Sequence, residues 1–152
     1  MIDDTDRKHL QRCVDLASEA LDRGNEPFGS VLVSSEGEVL FEDYNRIGGG
    51  DHTQHPEFAI ARWVQDRAKA TVYTSGEHCP MCAAAHGWVG LGRIVYASSA
   101  AQMTAWLSDL GVPAFRVRPL PIRDVISDTP VDGPVEEFAR QVRALHVRSH
   151  IR

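Results

Sequence analysis

No stretch of this chain is apolar for long. It has 152 residues, 43% of them hydrophobic, yet nothing approaches the roughly 20 consecutive apolar residues of a membrane-spanning helix, so no membrane partner is expected. The first residues, Met1-Ile2-Asp3-Asp4, are acidic where a secretory signal would be basic, and a soluble, cytoplasmic protein is the expectation. Cysteine is scarce. Three residues cannot close a disulfide framework, and two of them, Cys79 and Cys82, have metal-ligand spacing, which favours a reducing compartment. The third, Cys13, shares a helical period with Leu10, Val14, Ala17 and Leu21 and reads as a small buried apolar residue. Positive charge is short as well: 16 Lys and Arg stand against 21 Asp and Glu, a net charge of -5. Proteins that bind phosphate backbones draw affinity from Lys and Arg, so no nucleic-acid partner is expected. The deficit is uneven, because the residues up to Phe115 carry -7 and those from Arg116 onward +2. Repeats and low-complexity segments are missing too, and a chain of this length suits one domain that buries about two-thirds of its unfolded surface.

What is present is α/β alternation with clear punctuation. A helical pattern from about Asp4 to Arg23 stops at Gly24-Asn25. A buried strand, Phe28 to Ser34, turns at Ser35-Glu36-Gly37 and returns as Glu38 to Tyr44 ahead of the Gly48-Gly49-Gly50 loop. Next come a helix from Pro56 to about Lys69, a strand from Ala70 to Thr74, a helix from Pro80 to about Trp88 and a strand from Arg93 to Ala97. A helix over Ser99 to Leu110, a short strand at Ala114 to Val117 and a helix from Pro134 to about Arg148 complete the reading. The last helix puts Val135, Phe138, Val142 and Leu145 on one face.

Two short motifs carry chemistry: His55-Pro56-Glu57 and Cys79-Pro80-Met81-Cys82. One histidine and two cysteines offer three ligands and leave one position open, the pattern of a catalytic zinc site, whereas structural sites are closed with four. The prolines locate the ligands. Proline favours the first helical position and pushes its predecessor toward extended backbone, which puts His55 and Cys79 at helix caps. Cys82 then falls in the first turn, where free amides and the helix dipole favour thiolate. Glu57, two residues past His55, is placed to take a proton from an activated water and return it to a leaving group. A closed structural zinc, with His52, His78 or His86 as fourth ligand, is the competing reading, as is a redox pair.

Asp51-His52-Thr53-Gln54-His55-Pro56-Glu57, with Asn45 upstream and Glu77-His78-Cys79-Pro80-Met81-Cys82 downstream, resembles the zinc-dependent cytidine deaminase superfamily and its H-x-E and P-C-x-x-C signature. Glu26-Pro27-Phe28-Gly29-Ser30-Val31-Leu32-Val33 is similar to the first core strand of the guanine deaminase and nucleobase deaminase branch. The resemblance implies a three-layer αβα fold whose mixed five-stranded sheet is flanked by helices. Residues 1–152 would form one deaminase domain, with 111–152 a C-terminal extension ending in a helix. It also implies Zn2+ held by His55, Cys79 and Cys82, proton transfer by Glu57, a ring anchored by Asn45 and stacked on Phe28, and a homodimer. Pro56, Glu77, His78 and Trp106 are further candidate substrate contacts, and Asp109 a candidate pocket closer.

Two positions leave the family's pattern. Pro56 stands where a small residue usually offers its N–H, which proline lacks. His78 stands where proline usually precedes the first cysteine, and imidazole can donate, accept or titrate near neutrality. The expectation is therefore hydrolytic deamination of a free aminated heterocycle: guanine-, cytosine- or triazine-like. The alternatives are adenosine deamination in tRNA, which Arg140, Arg143 and Arg148 near the C-terminus would serve, and a non-catalytic zinc-binding module.

Overall fold

In the computed structural model, which describes residues 1–64 and 69–151, five helices enclose a five-stranded sheet. The helices are α1 (Asp4–Asp22), α2 (Pro56–Trp63), α3 (Pro80–Trp88), α4 (Ala100–Asp109) and α5 (Glu136–His150). The strands are β1 (Gly29–Val33), β2 (Val39–Tyr44), β3 (Thr71–Gly76), β4 (Ile94–Ser98) and β5 (Val131–Asp132), in the order β2-β1-β3-β4-β5. β1 is antiparallel to β2 and β3, while β3, β4 and β5 are parallel. The sheet is mixed, as expected.

Period-two alternation explains why both faces are covered. Val31, Val33, Tyr73, Val95 and Ala97 face one way, into a core with Leu10, Val14 and Leu21 of α1 and Phe138, Val142 and Leu145 of α5. Leu32 and Val72 face the other way, against Ile60 of α2, while Ile94 packs with Ala83 of α3. The helix that closes the chain is thus built into the main core. Cys13 is fully buried there, as its period implied.

Local chemistry sets the boundaries. Asp3 and Asp6 form a reciprocal capping box at the start of α1, and Ser99 with Gln102 does the same for α4. α2 is shorter than its sequence suggested. It ends at Trp63, with Val64 in extended backbone and buried against Leu32 and Ile60; positions 65–68 of the expected helix lie outside the described residues. The short strand expected at Ala114 to Val117 does not form. Those residues are exposed, among prolines 113, 119 and 121 that cannot donate to a ladder, and Val131–Asp132 fills the place beside β4 instead.

Because β1 and β3 run in opposite directions, the start of β1, the end of β2 and the ends of β3 and β4 meet at one edge of the sheet. Both zinc-type motifs follow from that edge.

Candidate active site

Pro56 and Pro80 open α2 and α3, and each preceding residue is an extended N-cap: His55 at φ -95, ψ 142 and Cys79 at φ -68, ψ 166. This is the geometry that the prolines dictate. Two helix N-termini therefore bring three ligand atoms together. His55 Nδ1 lies 3.5 Å from Cys79 Sγ and 3.6 Å from Cys82 Sγ, and the two sulfurs are 3.6 Å apart. Tetrahedral zinc, with Zn–S near 2.3 Å and Zn–N near 2.0–2.1 Å, calls for edges of about 3.5–3.8 Å. The triangle fits.

The three donors shift one another's protons. The bond from Cys82, then that from His55, pulls the Cys79 thiol down to about 4, and the Cys79 contact lifts His55 to about 9. The Cys82 thiol is instead pushed well above its ordinary range by that same sulfur contact and by burial, which outweigh the thiolate preference expected of the helix's first turn. Among the described residues this trio is the one cluster of His, Cys, Asp and Glu with metal-holding geometry. His52 and His86, named as candidate fourth ligands, are not part of it, and neither is His78.

Glu57, in the first turn of α2, is not a ligand. It is 6% exposed, its Oε1 accepts from the Ser30 hydroxyl at 3.1 Å, and burial raises its carboxyl to about 7, with the Cys79 charge adding and the His55 charge opposing. A carboxyl poised there can both accept and return a proton near neutrality.

The remaining candidates fall at several depths. Asn45, 2% exposed, accepts the Ile47 amide on its Oδ1 (3.1 Å), and its own backbone amide donates to the Phe28 carbonyl (2.9 Å), so Asn45 and Phe28 are tied together at the sheet edge. Phe28 is half-buried, and its ring lies against Gly76, where a Cβ would come within 3.1 Å of it. Pro56 is buried at the helix start. Glu77 receives the Ala100 amide on one oxygen (2.9 Å) and the Ile122 amide on the other (2.8 Å), which fastens the metal loop to α4 and to the turn at Ile122–Asp124. His78 is 1% exposed and packs edge-on against His86 at 5.3 Å, with both ring nitrogens unpartnered. Burial drives it well below the ordinary histidine range, neutral. Trp106 is half-buried on α4, 6.2 Å from His146 of α5, and Asp109 is exposed at the end of α4.

Sequence reasoning passed over three residues. Ser30 is the one hydroxyl in an otherwise apolar strand, and that interruption is the signal that marks it, whereas Thr74 stands among Thr71 and Ser75 and has no such mark. His146 sits edge-on to Phe28 at 5.3 Å with its Nε2 buried and unpartnered. On a helix read for its apolar face, it had no separate mark. A cleft of about 460 Å³ opens beside His55, lined by Asp51, Gln54, Phe58 and Arg62 among others.

Comparison with known proteins points one way. Residues 3–98 match the family described as the cytidine and deoxycytidylate deaminase zinc-binding region. The chain is 33% identical over 102 residues to a probable cytosine deaminase of Schizosaccharomyces pombe, a match covering 64% of this chain and 63% of that protein. It is also 33% identical over 97 residues to the guanine deaminase of Bacillus subtilis, covering 59% and 62%. The chain thus matches less than two-thirds of the length of either relative. A solved structure from work on tRNA:A34 deaminases, which perform A-to-I editing at the wobble position of transfer RNA, aligns over 91% of this chain and 99% of its own at TM-score 0.66 and 21% identity. At that identity the likeness speaks for the fold alone.

Proposed function

The chain belongs to the cytidine and deoxycytidylate deaminase family, and from that premise we propose that it deaminates a free aminated heterocycle, guanine-, cytosine- or triazine-like, by hydrolysis. Water's oxygen bonds to the amino-bearing ring carbon, the carbon–nitrogen bond breaks, and ammonia leaves. The observation that carries this reading is the buried, non-ligating Glu57 beside a three-ligand metal site. Zinc held by His55, Cys79 and Cys82 would supply Lewis acidity, which makes water acidic enough to react near neutral pH.

The protein's own groups account for the rest. Glu57 carries one proton of water to the ring nitrogen as the carbon–oxygen bond forms, and the second, from the resulting hydroxyl, to the amine as the carbon–nitrogen bond breaks. Phe28 offers a flat face for the ring, and Asn45 an amide whose nitrogen bonds no other described residue. Pro56 leaves the site one N–H short of the family's usual number, which selects for a heterocycle that does not need it.

A free base suits the surface better than tRNA does. Of the three arginines that argued for RNA, Arg148 pairs with Asp22 at 3.0 Å and Arg140 with Glu136 at 3.5 Å. The relatives with the higher identity are named for free bases, whereas the likeness to the tRNA enzymes is one of fold. Ammonia release from a panel of free bases, nucleosides and tRNA, with wild type and Glu57→Ala compared at equal zinc content, tests the proposal. Release from a free base by wild type alone supports it. Zinc in both proteins and ammonia from neither overturns it, and release from tRNA alone replaces the substrate.

A further inference from the structure

We propose that Ser30, backed by Thr74, is the positioning residue that fixes the Glu57 carboxyl in the site. The role assigned to Glu57 rests on the deaminase reading above; the geometry of the three side chains does not. Ser30 lies in β1, a strand buried at every position, and is itself 0% exposed. A buried hydroxyl without partners is destabilising, so one in this place calls for a reason.

Its partners supply one. Ser30 Oγ is 3.1 Å from Glu57 Oε1 and 2.9 Å from Oγ1 of Thr74, its register partner across the β1–β3 ladder. Thr74 Oγ1 is also 3.0 Å from the Gly76 carbonyl, so its one hydrogen serves either that oxygen or Ser30 Oγ, and it turns to Ser30 while Ser30 donates to Glu57. The hydroxyl row joins α2 to the end of β3, the strand that leads into the metal loop.

A hydroxyl both donates and accepts. Ser30 can therefore stay bonded to Glu57 before and after the carboxyl gains a proton, with no heavy atom moving. Among the described residues no other residue's side chain bonds the carboxyl, so removing Ser30 frees its torsions. Ser30 holds Oε1, and Oε2 is left for the reacting water and amine. A loosened carboxyl samples orientations that do not react, so the loss falls on turnover rather than on substrate binding. Thr74 acts one step back, by fixing the Ser30 hydroxyl.

The test uses zinc-loaded Ser30→Ala, Thr74→Val, Thr74→Ser and the Ser30→Ala/Thr74→Val double variant, with the free base turned over best by wild type. Ser30→Ala is expected to lower kcat about tenfold with KM within about twofold and zinc content unchanged. Thr74→Val should lower kcat about threefold, add nothing in the Ser30→Ala background, and be recovered by Thr74→Ser. Crystal structures of the zinc-loaded Ser30→Ala and Thr74→Val variants give a readout independent of turnover: the Glu57 carboxyl should leave its wild-type orientation in the first and spread in the second. Unchanged kcat in Ser30→Ala, additive losses in the double variant, or a Glu57 carboxyl unmoved in both crystals overturns the proposal. If wild type releases no ammonia, the deaminase reading fails by itself and the crystal structures still decide the positioning.

Discussion

Two buried polar regions stand on opposite faces of the same sheet. Where β4 begins, Arg93 gives two hydrogen bonds to Asp6, at 2.9 and 3.1 Å, and a third to Asp132 at 2.8 Å; Tyr73 gives Asp6 its hydroxyl at 2.6 Å, and Asp6 also caps α1. Every strong donor there has an acceptor. On the other face Glu57 rests on one hydroxyl, and among the described residues the buried side-chain atoms without partners are ring nitrogens of His78, His86 and His146. A network that is fully satisfied stabilises and rigidifies, whereas groups left under-satisfied in a well-packed protein mark the places where ligands and chemistry enter. One sheet supports both because successive residues of a strand point to opposite faces: Tyr73 serves the first region and Thr74 the second.

Exchanging the damage should break or confirm this contrast. Glu57→Gln, in which the amide keeps the shape but cannot carry the proton, should cut kcat by about 10²–10⁴ while zinc content and melting temperature hold. Asp6→Asn should do the opposite. It leaves Arg93 with Asp132 but takes away a buried charge partner, at a cost of about 3 kcal/mol, with kcat unchanged at a temperature where the variant is folded. Urea unfolding and steady-state kinetics on both variants check the pair. A loss of kcat in folded Asp6→Asn would show that the two regions are coupled.

Acid separates them next. Burial, with a smaller push from His150, holds the His146 imidazole neutral down to about 4, against an ordinary 6.5. The unfolded chain binds that proton below 6.5 and the folded one resists until about 4. Stability is therefore lost as pH falls through this window, by about 3 kcal/mol. Asp6 behaves differently. Burial would raise its carboxyl, but Arg93, Tyr73 and the Asp3 amide outweigh it and set it at about 2 instead of 3.8. Its contribution is complete above 3.8 and disappears as pH falls from 3.8 to 2, for about 2 kcal/mol. Urea unfolding of wild type and His146→Gln at pH 7 and pH 4 should show wild type losing about 3 kcal/mol more, and comparison with Asp6→Asn should open only below pH 4. Protonation of the metal ligands affects all three proteins alike and cancels.

The same contrast explains what could be read from the sequence. The site's ligands were legible because they are local: a proline sets a cap, a cap sets a ligand, and spacing within one turn sets the next. β1 to β4 and every helix were legible through period and punctuation. Long-range placement was not. Val131–Asp132 is too short to carry a period, and only its pairing with β4 makes it a strand, while Ala114 to Val117 had strand-like residues but prolines on both sides. Asp6, Tyr73 and Arg93 are 67 to 87 residues apart in their contacts, and no local signal announces such a meeting. Ser30 was visible as one polar residue in an apolar run, yet its partner on α2 was not.

The smallest expected effect lies on α5, which carries both kinds of region on one helix. Its inner face brings His146 to Phe28; its outer face carries Arg140, Arg143 and Arg148, all exposed. Arg148 and Asp22 are both more than half exposed, and an exposed ion pair contributes about 0–1 kcal/mol. Replacing the three arginines by glutamine should therefore change stability by less than about 1 kcal/mol and leave turnover of a free base within about twofold. That outcome keeps function at the sheet edge and makes the outer face ordinary solvated surface. An RNA substrate reverses the expectation: tRNA binding would weaken, and the slope of log affinity against log salt would flatten by up to about 3, roughly one for each phosphate that an arginine no longer neutralises. Because the substitutions lie away from Glu57 and its ligands, a change in that slope with zinc content intact would move the substrate from a free base to a nucleic acid without disturbing the assignment of the chemistry.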